Sequence, residues 1–123
     1  MTIATGIILL AHGSSDPRWC ETFERLAAPT VNAVPGARIA YMELASPSIE
    51  DVVRDGMAQG LRQFEVIPLF LAAGRHLRKD VPAMLEALRT AHQVDIALAP
   101  PVGDSPALGN AIRDLVLERL EAS

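Results

Sequence analysis

The sequence predicts an α/β fold, a four-stranded parallel sheet flanked by helices on both faces in the flavodoxin-like manner. Three observations carry this. Four short apolar runs alternate with four helical patterns along 123 residues, which is the signature of βαβ units joined by right-handed crossovers. The first run, Gly6 to Ala11, is continuously apolar, as a strand covered on both faces requires. Half the residues are hydrophobic yet only 4% are aromatic, which suits aliphatic helices on a sheet better than a sandwich built on aromatic anchors. At this length, residues 1–123 are expected to form one domain with room for a real core.

Each element has a local reason. Asp16-Pro17 after the first strand reads as an N-cap followed by proline at the first helical position, where its missing N–H costs nothing. Trp19, Phe23, Leu26, Ala27, Thr30 and Val31 then give an inward face at helical spacing, and Pro35-Gly36 closes the unit. Arg38 to Leu44 is the second strand. Ser46-Pro47 opens the second helix, whose buried stripe is Ile49, Val52, Val53 and Met57; Glu50 and Asp51 suit its positive end, and Gly60 ends it. Phe64 to Leu69 is the third strand. A longer connection leads to a helix running by Val81 to Thr90, with Met84, Leu85 and Leu88 inward. Val94 to Ala99 is the fourth strand, Pro100 to Asp104 a turn, and Ser105-Pro106 the start of a last helix. Its apolar face is Leu108, Ile112, Leu115, Val116 and Leu120.

Composition narrows the function. The net charge of −4 gives no general attraction to nucleic acid or anionic lipid, so an anionic ligand must meet a local basic patch. The single cysteine, Cys20, excludes an intramolecular disulfide framework and fits a reducing compartment. No apolar run approaches the roughly 20 residues needed to cross a bilayer, and no leader is expected, since Gly6 to Ala11 is short and ends in His-Gly-Ser. The expected setting is the cytoplasm.

The predicted topology places His12, Glu43, Gly74 to Lys79 and Asp104 on one rim, at the carboxyl ends of the strands, where open α/β sheets bind ligands. Two of the three histidines, His12 and His76, sit there. Imidazole binds mid-to-late first-row metals and moves protons near neutral pH. His12 precedes Gly13, which permits a sharp turn, and Ser14-Ser15, which can donate hydrogen bonds; the competing reading is a histidine that only terminates a strand. His76 lies in the cationic cluster Arg75, Arg78, Lys79, beside a helix N-terminus. There the dipole disfavours cations by about 0.3–1 kcal/mol and favours an anionic ligand. The competing reading is a solvated turn balanced by Asp80. Glu43 is either a rim carboxylate, able to accept a proton or help hold a cation, or an outward-facing strand residue. His92 reads as a surface residue suited to a helix C-terminus, and Asp104 as turn chemistry.

Several classes are excluded. No Gly-x-Gly-x-x-Gly follows the first strand, and there is no Gly-Lys-Ser/Thr, so neither a dinucleotide fingerprint nor a P-loop is present. Cys-x-x-Cys, His-Glu-x-x-His and Gly-x-Ser-x-Gly are likewise absent. A histidine phosphatase would place Arg-His-Gly after the first strand; here Ala11 precedes His12, and the phosphate-clamping guanidinium is missing.

Two segments carry a resemblance: His12-Gly13-Ser14-Ser15-Asp16-Pro17, and Pro68-Leu69-Phe70-Leu71-Ala72-Ala73-Gly74-Arg75-His76-Leu77-Arg78-Lys79-Asp80-Val81-Pro82. In this order and spacing they resemble the small sirohydrochlorin cobaltochelatases, class II tetrapyrrole chelatases. Those carry His-Gly-Ser-Arg-Asp-Pro after a first strand and Pro-x-Phe-Leu-x-x-Gly-x-His-Val-x-x-Asp-Ile-Pro after a third. Glu43-Leu44-Ala45-Ser46-Pro47-Ser48 is similar to the family's Glu-x-x-x-Pro-Ser segment. The similarity covers the first three βα units. Ser15 departs from the usual arginine and Ala73 from a frequent proline; the first removes a cation from the rim.

The resemblance implies a chelatase-like half, paired as a homodimer, that inserts a divalent metal into sirohydrochlorin or a related tetrapyrrole on routes to cobalamin or siroheme. It implies His12 and His76 as metal ligands and acceptors of the pyrrole protons, with Glu43 as a third participant. Ser14, Arg75, Arg78 and Lys79 would meet the substrate's carboxylates. Co²⁺ is the first choice of metal substrate, with Fe²⁺ or Ni²⁺ as alternatives, and no organic cofactor is expected. Two neutral imidazoles, of reference pKa about 6.5, form a ligand set weak enough to release the metal to the macrocycle. The alternative reading is a non-catalytic metal-binding or metal-delivery protein using the same rim.

Overall fold

The chain alternates strand and helix throughout, and the computed structural model describes residues 4–122, with the side chains of His76 and Leu77 outside that description. Strand β1 (Thr5–Ala11) leads into α1 (Pro17–Ala33), β2 (Arg38–Tyr41), α2 (Ile49–Ala58) and β3 (Gln63–Pro68). A π-helical turn (His76–Asp80) then runs into α3 (Val81–His92), followed by β4 (Asp95–Leu98), a 3₁₀ turn (Val102–Asp104) and α4 (Pro106–Glu121). The strands are parallel in the order β2-β1-β3-β4. This is the predicted fold class. No helix among the described residues is long and apolar enough to cross a membrane.

The caps behave as their sequences require. The Asp16 carboxylate accepts from the Arg18 amide at 2.9 Å. Ser48 and Asp51 exchange reciprocal bonds with each other's backbone amides at 3.1 and 3.0 Å, a complete capping box. The Ser105 hydroxyl accepts from Ala107 N at 3.2 Å. These bonds satisfy amide groups that a helix start leaves without partners.

One face of the sheet carries the main core. Ile8, Leu10, Ala40, Phe64, Val66 and Ile96 pack there against Ile49, Val52 and Val53 of α2 and Val81, Leu85 and Leu88 of α3. The opposite face is covered unevenly. Leu9, Ala11 and Tyr41 are buried beside α1, but Glu65, Ile67 and Leu69 of the β3 segment are half-exposed and Ala97 of β4 is exposed.

Three expectations are corrected. The second strand ends at Tyr41 rather than Leu44, because the chain turns away from the sheet through Leu44, which adopts a left-handed conformation (φ 63). Glu43 therefore lies in the bend after the strand. The inward stripe of α1 contains Phe23 and Ala27 as predicted, but also Cys20. Trp19, Leu26 and Val31 are exposed, since α1 spans only the β1–β2 half of its face. The apolar face of α4 exists but is not buried, for Ile112, Leu115, Val116 and Leu120 are 52–65% exposed.

Tyr41 ties β2 to α1. Its hydroxyl donates to the Cys20 carbonyl at 3.4 Å, and burial, assisted by Cys20 and Glu24, pushes its pKa up to about 12. The fold thus favours the protonated phenol. Its contribution is intact below the unfolded pKa near 10 and is lost as the pH rises toward 12. Because Tyr41 is the single tyrosine, phenolate absorbance follows it alone. Native protein should titrate near 12 and lose stability between about pH 10 and 12; titration at an ordinary value would contradict the burial argument.

Candidate functional site

The rim is built where β1 and β3 lie side by side. Leu10 is paired with Pro68, and the Leu69 amide extends the ladder to the Leu10 carbonyl at 2.8 Å. The residues that follow each strand are consequently neighbours. The His12 imidazole stacks on the Phe70 ring with centroids 4.0 Å apart and planes 14° from parallel. Phe70 is itself almost fully buried in the main core, so a rigid platform sets the plane of an exposed imidazole. Stacked aromatic pairs contribute about 0.5–1.5 kcal/mol beyond burial. The stronger consequence here is orientation.

The second wall comes from the bend after β2. Met42 N donates to the Ala11 carbonyl at 2.9 Å and Glu43 N to the His12 carbonyl at 3.2 Å. The two loops close so tightly at Gly13 that a Cβ there would lie 1.9 Å from the Glu43 carbonyl oxygen, and Gly13 also has φ +93. Glycine is the residue that meets both demands. Glu43 is thereby joined to His12 through the backbone, with its side chain exposed.

Ser14 is engaged locally: its hydroxyl accepts from Asp16 N at 3.0 Å, and its carbonyl accepts from the Cys20 thiol at 3.5 Å. Arg18 pairs with Asp16 at 2.8 Å, and that guanidinium holds the Asp16 carboxyl below its usual range. Arg18 thus acts as a solvated partner of the cap.

His76 begins the π-helical turn, in which Arg78 N donates to the Gly74 carbonyl at 3.1 Å; the predicted imidazole contacts lie outside the described residues. The cationic segment is therefore already helical, rather than a loop preceding a helix, and Asp80 makes no capping bond. π-Turns of this kind occur disproportionately at functional sites. Arg75, Arg78 and Lys79 are exposed and line a solvent-open hollow of about 410 Å³.

A further wall was not read from the sequence. Gly103, in the turn before α4, donates its N–H to the Phe70 carbonyl at 3.0 Å. A Cβ on Gly103 would fall 1.6 Å from the Leu71 carbonyl oxygen. The turn thus braces the platform under His12. Phe70 stood in the motif as a hydrophobic residue, but its stacking role needs the third dimension. His92 is a link between helices, its Nε2 lying 3.1 Å from Glu50 Oε2. Among the described residues, no three His, Cys, Asp or Glu side chains gather as a metal cluster.

The CbiX family model matches residues 6–119. A sirohydrochlorin cobaltochelatase of Sulfolobus acidocaldarius is 28% identical over 94% of this chain and 89% of its own length. Another, from Sulfurisphaera tokodaii, is 27% identical over 96% of both chains. The crystal structure described as that of a cobalamin (vitamin B12) biosynthesis CbiX protein from Marinobacter aquaeolei VT8 superposes with a TM-score of 0.93. It has 63% identity, covering 98% of this chain and all of that one. SirB from Bacillus subtilis with Fe³⁺ matches with a TM-score of 0.75 and 22% identity, covering 91% of this chain but 46% of its own. That last likeness concerns the fold alone.

The loop closure at Gly13 can be measured. Gly36 has a similar φ of +82 but nothing within 4 Å of its would-be Cβ. Gly36→Ala should therefore cost roughly 1–2 kcal/mol, the left-handed penalty alone. Gly13→Ala should cost clearly more in denaturant unfolding, because a carbonyl must also move. Equal losses would show that the two loops are not in contact.

Proposed function

The chain belongs to the CbiX family, and on that premise we propose that it is a sirohydrochlorin metal chelatase, a lyase in which residues 1–123 work as one domain. The observation that carries this reading is the His12–Phe70 stack, a proton-accepting group held in fixed orientation on the rim shared by β1 and β3. The names borne by the relatives supply the substrate class. The reaction joins a divalent metal to a tetrapyrrole dianion and releases two pyrrole protons.

Cobalt is the proposed metal substrate, with iron or nickel as alternatives, since imidazole and carboxylate accept all three and supply then decides. His12 and His76 bind the incoming ion weakly enough to give it up, and receive the protons that leave. Glu43, whose amide is bonded to the His12 carbonyl, is the third group placed to accept one. Arg75, Arg78 and Lys79 attract and orient the substrate's carboxylates, with Ser14 in support; their exposure around a common hollow favours this. The macrocycle is wide relative to one rim, which favours two copies of the chain enclosing it as a homodimer. A cytoplasmic setting suits the free Cys20.

The test follows absorbance changes after mixing protein, sirohydrochlorin and Co²⁺. Wild type should accelerate insertion. His12→Ala and His76→Ala should each lose on the order of 10²-fold or more with the fold retained, His12→Ala melting somewhat lower because its stack on Phe70 is gone. Replacing Arg75, Arg78 and Lys79 by Ala should raise KM much more than it lowers kcat. Wild-type rates in either histidine variant would reject the assigned roles. Metal binding without any turnover would identify a metal-delivery protein instead.

A further inference from the structure

A parallel sheet is normally covered on both faces, yet this one is bare over half of one face while the same chain carries an unburied helix. On that face Glu65, Ile67, Leu69 and Ala99 are half-exposed, and Asp95 and Ala97 are exposed. On α4, four of the five apolar residues of the expected face, Ile112, Leu115, Val116 and Leu120, stand in solvent. The whole chain exposes 8105 Å², against about 6,400 Å² for a compact monomer of its mass. The excess of roughly 1,700 Å² is more than the roughly 800 Å² that a standard interface removes from each partner, so there is ample surface for association to cover.

The connection to α4 keeps the helix from closing on its own sheet. Pro100 and Pro101 stiffen the exit from β4, and the 3₁₀ turn is pinned to the Phe70 and Leu71 carbonyls through Gly103. We propose that α4 is an exchanged arm: each subunit lays it across the uncovered β3–β4 half of a second copy's sheet. This rests on the paired-subunit reading given above and adds how the pairing is made.

Length and charge both fit. Sixteen helical residues span about 24 Å, enough to cross the sheet from rim to base. Arg119 shares the helix face of Ile112 and Leu115, at spacings of seven and four residues. An arm running antiparallel to the strands, as a helix following β4 would, brings Arg119 toward their amino ends, where Asp95 projects on the bare face, with Glu65 level with Ala97 further along. A stripe about 10 Å wide on each arm, counted on both sides of two such contacts, buries about 1,000 Å², the lower bound for a stable interface. The rim surfaces add to it.

The decisive experiment uses Cys20→Ser protein carrying Ala97→Cys and Ile112→Cys, with parallel variants placing the second cysteine at Leu115 or Val116. These are run oxidised on non-reducing gels beside light-scattering mass measurements. Exchange predicts a dimer of the unmodified chain, a majority of covalently linked dimer in at least one double variant, and only background linkage in every single variant. Leu115→Asp should shift the mass to 13.2 kDa with helicity retained. A covalent monomer in the double variants would mean that α4 folds onto its own sheet, and would overturn the proposal. Linkage by Ile112→Cys alone would show helix-to-helix pairing, which overturns the exchange but leaves the dimer. A dimer without linkage in any variant also sinks the exchange alone, and a monomeric wild type sinks both. Insertion assays on the same samples report separately on the chelatase reading.

Discussion

Because β1 lies between β2 and β3 and pairs with β3 over six residues, from Thr5 with Gln63 to Leu10 with Pro68, the two motif-bearing loops leave the sheet at the same level. Everything at the rim depends on that register. A slip of one residue would turn Leu10 and Pro68 to opposite faces and separate His12 from Phe70. The apolar content of the strands resists such a slip, since Ile8, Leu10, Phe64 and Val66 would all leave the main core. Core packing is thereby the agent that positions an exposed imidazole.

The layout of strands and helices was legible because its signals are local. Asp16, Ser48 and Ser105 cap helices by bonds to amides two or three residues away, so a short window of sequence contains both partners. The features that escaped reading each join distant segments. Leu44 looks like a strand residue by composition, yet it takes a left-handed backbone in a bend whose neighbour Glu43 closes against Gly13. Trp19 and Leu26 have the right spacing for an inward face, but periodicity does not say how much sheet lies beneath a helix. Gly103 reads as an ordinary turn glycine until Leu71 is found against it. The candidate site divides in the same way: His12, His76 and the cations are marked by residue type, whereas Phe70 is marked only by its contact.

Electrostatics at the rim is local in a chain whose net charge is −4. Arg75, Arg78 and Lys79 are concentrated within five residues on the helical lead-in to α3, with Asp80 the acid that follows at once. Elsewhere several cations are engaged: Arg18 by Asp16, Arg54 by Glu50, Arg89 by Glu86 and Arg113 by Asp114. These exposed pairs contribute little to stability, on the order of 0–1 kcal/mol each. They do remove those cations from competition for an anion. Steering toward the rim therefore does not need an overall basic protein, only a patch that the acidic remainder does not neutralise.

The root of α4 connects this chemistry to association. The 3₁₀ turn from which α4 departs donates to the Phe70 carbonyl and presses on Leu71, and Phe70 is the platform under His12. A load on α4, from whatever covers it, is borne by a turn in direct contact with that platform. Packed interiors transmit such displacements rather than absorb them. Fixing α4 against another surface would thus restrain the Phe70 and Leu71 carbonyls, and with them the backbone that carries the ring under the imidazole. The apolar helix and the rim histidine, far apart in sequence, are joined by a short path of contacts through Gly103 and Phe70.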